Sequence, residues 1–360
     1  MALRHLQNKL RRSAYSAAQF AKVGWYTTQY IGARHISGPL TPPGEVPKPF
    51  QSAPTSQAAL RKAFLHLLAQ EARDIEKGVY KLPKAFRTPP SPLRLAKQAK
   101  SYFKEARAVA VRSKTKGGAT EVREGVEGDY PSYYLQNFHF QTDGWLSESS
   151  AKIYDTQVEA LFTGAAATMR RRLLPPLLTE VAKLQEKDVS IHIADIGCGT
   201  GRLVAEIVDN APNVKITGID LSKAYLDVAR DYVGTKKSVS FMEGAAETLP
   251  FEDDSVDILT SVYLFHELPP KIRREVASEI ARVLKPGGLY IHADSLQYGD
   301  TDLDLLLEAF PRAFHEPFYD GYCREDLSVL FGEQGFSTES QELAFLTKVN
   351  SFRLKTPGEE

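Results

Sequence analysis

The sequence predicts an α/β fold in which helices cover both faces of a mostly parallel sheet, preceded by a helical N-terminal extension. From Ser190 onward, short apolar runs alternate with segments of helical periodicity, and this alternation is typical of parallel sheets. A glycine-rich turn follows the first apolar run, and two adjacent strand-like segments close the chain. Residues 1–120 show only helical and proline-rich patterns.

The composition of the 360 residues is that of a globular protein larger than one ordinary core. Hydrophobic residues make up 42% and charged residues 25%, and no apolar run reaches the ~18 residues that a membrane span needs. The two cysteines, Cys198 and Cys323, are too few for a disulfide framework or a thiolate metal site. We therefore expect a reducing compartment, with the cytoplasm as the first expectation, and no bound metal.

The formal net charge of zero hides an asymmetry along the chain. Residues 1–120 contain 22 Lys and Arg against 5 Asp and Glu, a charge of +17 that residues 121–360 balance with −17. A basic segment of this kind can contact an anionic membrane, a nucleic acid or the acidic remainder of its own chain. A solvated helical surface packed on an acidic domain is the simplest interpretation, and the others stay open.

The first 37 residues are rich in arginine, and no acidic residue precedes Glu45. This composition fits an organellar transit peptide over residues 1–35, which would place the protein in mitochondria or chloroplasts. It equally fits a basic amphipathic helix whose aromatic face lies on a membrane surface or on the protein itself. The aromatic residues of that face would be Phe20, Trp25, Tyr26 and Tyr30.

The remainder of the extension shows no catalytic spacing. Pro, Gly and Ser crowd residues 37–56 and predict a linker. Apolar spacing predicts a helix over residues 57–77 that ends at Gly78, and a second, basic helix follows from residue 89 and ends at Gly117 and Gly118. We interpret residues 1–125 as a basic helical accessory region.

Residues 126–186 form an aromatic and helical lead-in to the sheet. Six aromatic residues surround His139 within 16 positions: Tyr130, Tyr133, Tyr134, Phe138, Phe140 and Trp145. They either cover the next domain, as aromatic clusters usually do, or roof an apolar substrate pocket. Ser147 is expected to cap a helix that begins at Glu148 and runs towards Gly164.

Residues 187–353 contain the alternating elements, and residues 354–360 are a tail. Ser222 is expected to cap the second helix, and Lys-Pro-Gly-Gly should end the third. The predicted strands are 190–196, 214–220, 238–244, 256–265, 288–294, 336–343 and 344–352, and the predicted helices are 201–210, 222–233, 269–288, 302–315 and 324–334.

The glycine-rich turn lies where such sheets bind ligands, beyond the carboxyl end of a strand. Asp195 ends the first strand, and Gly197, Gly199 and Gly201 follow within six positions. Glycines permit a tight turn and a close approach of ligand to main chain. A phosphate would be poorly served by the carboxylate, whereas a cationic ligand without phosphate, such as S-adenosylmethionine, would be well served.

Residues 190–300 resemble the class I S-adenosylmethionine-dependent methyltransferases, and the type 11 group with the ubiquinone and menaquinone C-methyltransferases looks nearest. The resemblance rests on four spaced motifs: ADIGCGTG, GID ending at Asp220, GAAETLPFEDDSVD, and ARVLKPGG before the fifth strand. It implies a Rossmann-like seven-stranded sheet with S-adenosyl-L-methionine as the cofactor. The first 120 residues lie outside the generic fold.

The resemblance also implies roles for the residues at the strand ends. Asp195 would hold the amino group of the cofactor, and Asp220 would accept hydrogen bonds from both ribose hydroxyls. Where the family often has Gly-Asp-Ala, this chain has Gly244-Ala245-Ala246, which leaves the adenine to backbone groups or to Glu247. The full candidate set is Asp195, Gly197, Cys198, Gly199, Gly201, Asp220, Leu221, Ala245, Ala246, Glu247 and Tyr263.

Three residues at the end of the fourth strand are candidate catalytic residues: Tyr263, His266 and Glu267. Methyl transfer needs alignment and exclusion of water, and it needs a base only where the acceptor loses a proton. An unperturbed imidazole titrates near ~6.5, so His266 is the candidate base. His266 and Glu267 could instead only organise the loop, and catalysis could lack a base. Weaker candidates are His292, Asp294, His315, Tyr319 and Tyr322.

Three functions follow from these residues. The first is methyl transfer to a small, apolar or aromatic acceptor by C- or O-methylation, with the basic region in peripheral contact with an anionic membrane. The second is methylation of RNA or protein, with the basic region holding phosphates, although no RNA-binding signature is present. The third is a cofactor-binding assembly factor without transfer.

Overall fold

The computed structural model describes residues 2–37, 49–115, 122, 130–141 and 143–358. Most of the predicted linker and the predicted helix end at Gly117 and Gly118 lie outside these residues. The chain forms two compact units. The N-terminal unit comprises residues 1–169 and 308–316, and the sheet unit comprises residues 170–307 and 317–360. The domain boundaries predicted at residues 125, 186 and 353 stay predictions.

Helices dominate the described part of the N-terminal unit. Gly78 ends α2 in a left-handed conformation with φ 73°, and the Ser147 hydroxyl accepts from the Ser150 amide at the start of α5, as predicted. The helices are α1 (Ala2–Ser37), α2 (Gln57–Lys77), α3 (Lys84–Arg87), α4 (Pro92–Thr115) and α5 (Glu148–Leu161), and a 3-10 turn spans Phe138–Phe140.

The buried face of α1 is partly polar, and its contacts lie within this unit. Tyr15 donates a hydrogen bond to the Glu71 carboxylate on α2, and Gln19 donates to the Gly164 carbonyl at 3.1 Å. Lys22 pairs with Glu159 on α5 at 2.7 Å. The structure therefore presents residues 2–37 as a packed helix, and their use as a transit peptide stays a prediction.

The sheet unit contains a seven-stranded sheet in the order β3-β2-β1-β4-β5-β7-β6. Only β7 runs antiparallel to its neighbours, which confirms the predicted mostly parallel sheet. The strands are β1 (His192–Ile196), β2 (Lys215–Asp220), β3 (Val239–Glu243), β4 (Val256–Val262), β5 (Leu284–Ser295), β6 (Phe336–Ala344) and β7 (Thr347–Leu354).

Helices surround this sheet, and none in the described ranges has an apolar stretch long enough to cross a bilayer. Ser222 caps α9 through a 3.2 Å hydrogen bond from the Tyr225 amide to its hydroxyl, as predicted. From residue 166 onward the helices are α6 (Ala166–Arg170), α7 (Leu174–Gln185), α8 (Arg202–Asn210), α9 (Lys223–Val233), α10 (Pro270–Val283), α11 (Asp304–Ala313), α12 (Tyr319–Cys323) and α13 (Leu327–Gly332).

The helix predicted over residues 269–288 spans only Pro270–Val283, so the Lys-Pro-Gly-Gly segment lies in β5 and does not end the helix. Two other predicted boundaries were wrong for local reasons. The fourth strand was expected to continue to Phe265, but it ends at Val262 because Tyr263 takes a left-handed conformation with φ 54°. The helix predicted over residues 324–334 begins only at Leu327. Asp326 accepts hydrogen bonds from two amides of the first turn there, which fixes the helix start.

Candidate active site

The glycine-rich turn after β1 requires glycine for its backbone conformation. Gly197, Gly199 and Gly201 have φ values of 63°, 53° and 69°, which disfavour any residue with a Cβ. At Gly201 a Cβ would lie 2.9 Å from the Cβ of Ala229, so this glycine also lets α9 approach. At Gly199 the nearest atom to a Cβ would be 4.0 Å away, on Tyr225. The main chain at Gly199 is therefore open to a ligand.

Asp220 at the end of β2 holds this turn in place. One carboxylate oxygen accepts from the Gly199 amide at 2.8 Å, and the other accepts from the Ser222 amide at 2.8 Å. Burial raises the pKa of Asp220 to about 6, despite these two hydrogen bonds. Each oxygen retains capacity for a further donor, which is what the two ribose hydroxyls of a nucleoside would supply.

Asp195 is almost completely buried, with 2% of its surface exposed. Thr260 donates a 2.7 Å hydrogen bond to its carboxylate, and the two residues are partners in the register of β1 and β4. Burial raises the pKa of Asp195 to about 7, and the negative charge of Asp220 adds to the shift. No local pattern in the sequence marks Thr260, because only the strand register places it beside Asp195.

The carboxylates and the open main chain at this strand edge fit S-adenosylmethionine. Burial disfavours the charge of both Asp195 and Asp220, and a sulfonium or ammonium group would offset that penalty. Cys198 in the same turn adds no charge, because burial raises the pKa of its thiol well above the usual range. The arrangement is therefore two buried carboxylates beside an open main chain, and a cationic ligand would complement it.

The remaining candidate cofactor residues follow β2 and β3. Leu221 comes directly after Asp220, and the Gly244 amide donates to the Asp220 carbonyl at 3.1 Å, which joins the ends of the two strands. Ala245 and Ala246 offer only main-chain groups to an adenine, and the Thr248 amide already donates to the Ala245 carbonyl at 3.3 Å. Glu247 is half-buried in the same turn.

Tyr263 follows β4 in a strained conformation. Its φ of 54° is unusual for a residue with a side chain, and such strain is concentrated at functional sites. The Tyr263 amide donates to the Ala293 carbonyl at 2.8 Å, and its hydroxyl lies 2.7 Å from the Thr347 hydroxyl. These contacts hold the turn that leads to His266.

His266 is buried and paired with Asp294 at the end of β5. The distance from His266 Nδ1 to Asp294 Oδ1 is 2.5 Å, and the amides of Phe265 and His266 donate to the other carboxylate oxygen. Burial alone would raise the pKa of Asp294, but the neighbouring His266 and the Ser295 amide hold it below its usual range. Because the carboxylate is ionised, Nδ1 directs its proton at Asp294, and Nε2 is the nitrogen on the other side of the ring.

The other candidates occupy different positions. Glu267 has a carboxylate oxygen 4.0 Å from His266 Nε2. His292 lies within a buried network, with Nδ1 3.1 Å from the Tyr290 hydroxyl and Nε2 3.3 Å from the Tyr322 hydroxyl. Burial lowers the pKa of His292 to about 4, so it stays neutral. His315 belongs to the N-terminal unit.

The sheet order and the acidic, glycine-lined strand ends define a protein that binds a cationic nucleoside in a Rossmann-like fold. A protein family described as a methyltransferase domain matches residues 193–288. A demethylmenaquinone methyltransferase of Symbiobacterium thermophilum is 38% identical over 185 residues, which cover 44% of this chain and 73% of that protein. The chain therefore belongs to the class I S-adenosylmethionine-dependent methyltransferases, and S-adenosylmethionine is its cofactor.

Other relatives act on different acceptors. A sterol 4-C-methyltransferase of Caenorhabditis elegans is 29% identical over 134 residues, covering 36% of this chain and 39% of that protein. A tRNA N(3)-methylcytidine methyltransferase of Schizosaccharomyces pombe is 30% identical over 181 residues, covering 46% and 58%. The chain spans about half the length of most of these relatives. The shared region thus identifies the class and leaves the acceptor open.

Proposed function

We propose that the protein transfers the cofactor methyl group to a small, apolar or aromatic acceptor, at an oxygen or an acidic carbon that loses a proton. The observation that carries this proposal is the buried His266–Asp294 pair, in which Nδ1 lies 2.5 Å from the carboxylate. A histidine oriented by a carboxylate in this way is suited to general-base catalysis.

The carboxylates of the strand edge would hold the cofactor. Asp220 offers an acceptor oxygen to each ribose hydroxyl, Asp195 faces the amino group, and Gly199 lets the methionine part approach the main chain. The bound cofactor supplies an electrophilic methyl group on a cationic sulfonium, and the thioether that leaves when the methyl is transferred is neutral. The protein therefore has to align the acceptor, exclude water and remove one proton.

His266 would remove that proton. Nε2 accepts it from the acceptor while Nδ1–H keeps its hydrogen bond to Asp294, so the imidazolium forms next to an ionised carboxylate. The low pKa of Asp294 keeps its carboxylate ionised, so the carboxylate can stabilise the imidazolium once the proton has been transferred. Asp294 is therefore a positioning residue, since it fixes the tautomer and orientation of the base.

Aromatic rings around His266 favour an apolar acceptor. The ring centroids of Tyr263, Tyr319 and Tyr322 lie 6.4, 5.7 and 6.3 Å from that of His266. The hydroxyls of these tyrosines already bond within the protein, to Thr347, Ser295 and the Ser295 carbonyl. The groups around His266 are therefore mainly aromatic rings, which favour contact with an apolar acceptor.

The first experiment identifies the acceptor. The protein is incubated with methyl-labelled cofactor and fractionated extract, and label should enter lipid or a small apolar metabolite. On that acceptor, His266→Asn should lower kcat by about 100-fold or more, the usual contribution of a general base. Cofactor affinity, measured by calorimetry, should stay unchanged.

A matched control separates chemistry from folding. His192 is half-buried on β1, with Nε2 3.0 Å from the Thr217 hydroxyl, and His192→Asn should leave kcat within a few fold of the wild type. Asp294→Asn should lower kcat and alter its pH profile, since the base would lose its fixed tautomer. A His266→Asn variant with normal kcat would contradict the proposal.

RNA is the second candidate acceptor, supported by the +17 charge of residues 1–120 and by the tRNA methyltransferase among the relatives. If RNA is the acceptor, label enters RNA, and binding weakens steeply as salt is raised. A third candidate, a cofactor-binding factor without transfer, requires normal cofactor affinity and no labelled product in any fraction.

A further inference from the structure

We propose that the N-terminal unit contains a binding site for a compact aromatic molecule that carries a hydroxyl group. The site is a cavity of about 130 Å³ between α1, α4, α5 and the residues that end α11. An apolar cavity of about 150 Å³ can bind benzene, so this cavity has room for one ring. The proposal goes beyond the methyl transfer proposed above and does not depend on it.

Most of the cavity wall is apolar, so a ring would gain affinity by leaving water. Small residues of α1 and α4 leave the space, and larger side chains of α5 and the end of α11 enclose it. The apolar residues that carry the argument are Ala33, Ala106, Val109, Val158, Leu161 and Phe314.

One polar group in the wall is left without a partner. Gln157 lines the cavity, and its Oε1 is closed to solvent and accepts no hydrogen bond within the described residues. A buried carbonyl oxygen in this state is costly, and a ligand hydroxyl that donates to it would remove the penalty. Because Gln157 Oε1 has room for a hydrogen-bond donor, we propose that the aromatic ligand carries a hydroxyl group.

A hydrogen-bond donor lines the same cavity. Burial raises the pKa of Tyr102 to about 12, so its phenol stays protonated at neutral pH. Its hydroxyl can therefore donate to the oxygen of the same ligand hydroxyl. A group that both donates and accepts fits the pair formed by Gln157 and Tyr102 better than a carbonyl or an ether does.

Another part of the cavity wall is His139, which lies in a strained turn and contacts Glu316. His139 and Phe140 have φ values of 55° and 54°, and left-handed residues with side chains persist where the surroundings fix them, as at ligand sites. His139 Nε2 lies 2.7 Å from the buried Glu316 carboxylate. This pair positions the His139 ring in the wall.

The test compares phenol with benzene on the full-length protein, by ligand-observed NMR and by thermal shift. Phenol should bind at least ten times more tightly than benzene. Gln157→Leu should reduce phenol affinity about tenfold and leave benzene affinity unchanged, because it removes only the acceptor. Ala106→Leu should abolish binding of both, because the added side chain occupies the cavity.

Ala96→Leu is the matched control, since Ala96 is exposed on the same helix α4 and its substitution should not change phenol binding. Circular dichroism and cofactor calorimetry establish that each variant is folded. The proposal is overturned if wild-type protein fails to bind phenol at several millimolar. It is equally overturned if folded Ala106→Leu binds phenol as tightly as the wild type.

Discussion

Three buried carboxylates of the sheet unit differ in pKa, because different charges and hydrogen-bond donors surround them. Burial raises the pKa of Asp195 to about 7 and that of Asp220 to about 6. Asp294 is also buried, but His266 and the Ser295 amide hold its pKa below the usual range. The first two are therefore prepared for a ligand cation, and the third is satisfied by the protein itself.

Asp195 should make the cofactor-free protein less stable at neutral and alkaline pH. Its pKa is about 7 when folded against 3.8 for an unburied aspartate, so its contribution is most favourable at low pH and is lost as the pH rises through 7. Asp195→Asn keeps an acceptor for Thr260 and removes the charge. We expect the free energy of unfolding at pH 8 to rise by roughly 4 kcal/mol.

Denaturant unfolding at several pH values measures this effect. The difference between Asp195→Asn and wild type should shrink as the pH falls towards 5, where the wild-type carboxyl is already protonated. Asp254→Asn makes the same chemical change at an exposed loop position and should show no such trend. A constant difference from pH 5 to pH 8 would exclude charge burial as the cause.

Asp220→Ala should weaken cofactor binding by about 100-fold, or ~2.7 kcal/mol. The variant loses the acceptors of the Gly199 and Ser222 amides as well as those offered to the ribose. Calorimetry with S-adenosylhomocysteine measures the loss without turnover. Ser222→Ala removes only the hydroxyl cap of α9 and should retain most of the affinity. Equal affinity in Asp220→Ala and wild type would remove Asp220 from the cofactor site.

The sequence predicts the residues of the site better than their partners. Asp195, Asp220 and the glycines follow from a local pattern at strand ends. The pairing of Asp195 with Thr260 and of His266 with Asp294 joins different strands, so it depends on register and on the turn at Tyr263. No local pattern in the sequence carries that information.

At the scale of elements, the packing of α1 depends on Gly164, which lies between α5 and α6. A Cβ at Gly164 would lie 3.1 Å from the Val23 Cα and 3.2 Å from the Lys22 carbonyl oxygen, and Gly164 has a φ of +85°. Gly164→Ala should therefore combine backbone strain with a clash against the main chain of α1. We expect a loss of roughly 2 kcal/mol or more in unfolding free energy, measured by denaturant titration.

Gly24→Ala is the matched substitution within α1. No atom lies within 4 Å of a Cβ at Gly24, and alanine stabilises a helix interior by up to about 1 kcal/mol relative to glycine. The two variants should thus change stability in opposite directions. If Gly164→Ala is as stable as the wild type, α1 does not pack at Gly164 in solution.

Three helix ends follow directly from the local sequence, although the cap at Asp326 was missed. Gly78, Ser147 and Ser222 each act through hydrogen bonds to amides or carbonyls within a few residues, so the local sequence contains both partners. The end of β4 differs, because the left-handed Tyr263 depends on its bonds to Ala293 and Thr347 in other strands. Local capping is therefore predictable, whereas a strained strand end is not.

At the scale of the whole molecule, the two units can be followed separately. Each has its own buried apolar residues, and a domain with its own core can unfold as a unit. Both tryptophans of the chain, Trp25 and Trp145, belong to the N-terminal unit. Tryptophan fluorescence therefore reports on that unit alone, and the sheet unit, which contains the cofactor residues, is silent to this probe.

S-adenosylhomocysteine, the product formed from the cofactor, should separate the thermal midpoints of the two units. A ligand at 100 times its Kd stabilises the folded state that binds it by about 2.7 kcal/mol. S-adenosylhomocysteine should thus raise the thermal midpoint seen by circular dichroism, which includes the sheet unit, and leave the tryptophan midpoint nearly unchanged. Asp220→Ala should nearly abolish the shift, because the variant retains the fold but binds this ligand about 100-fold more weakly. Equal shifts in both signals would show that the two units unfold as one. The binding free energy gained at β1 and β2 would then stabilise the N-terminal unit, which contains the tryptophans, as strongly as the sheet unit.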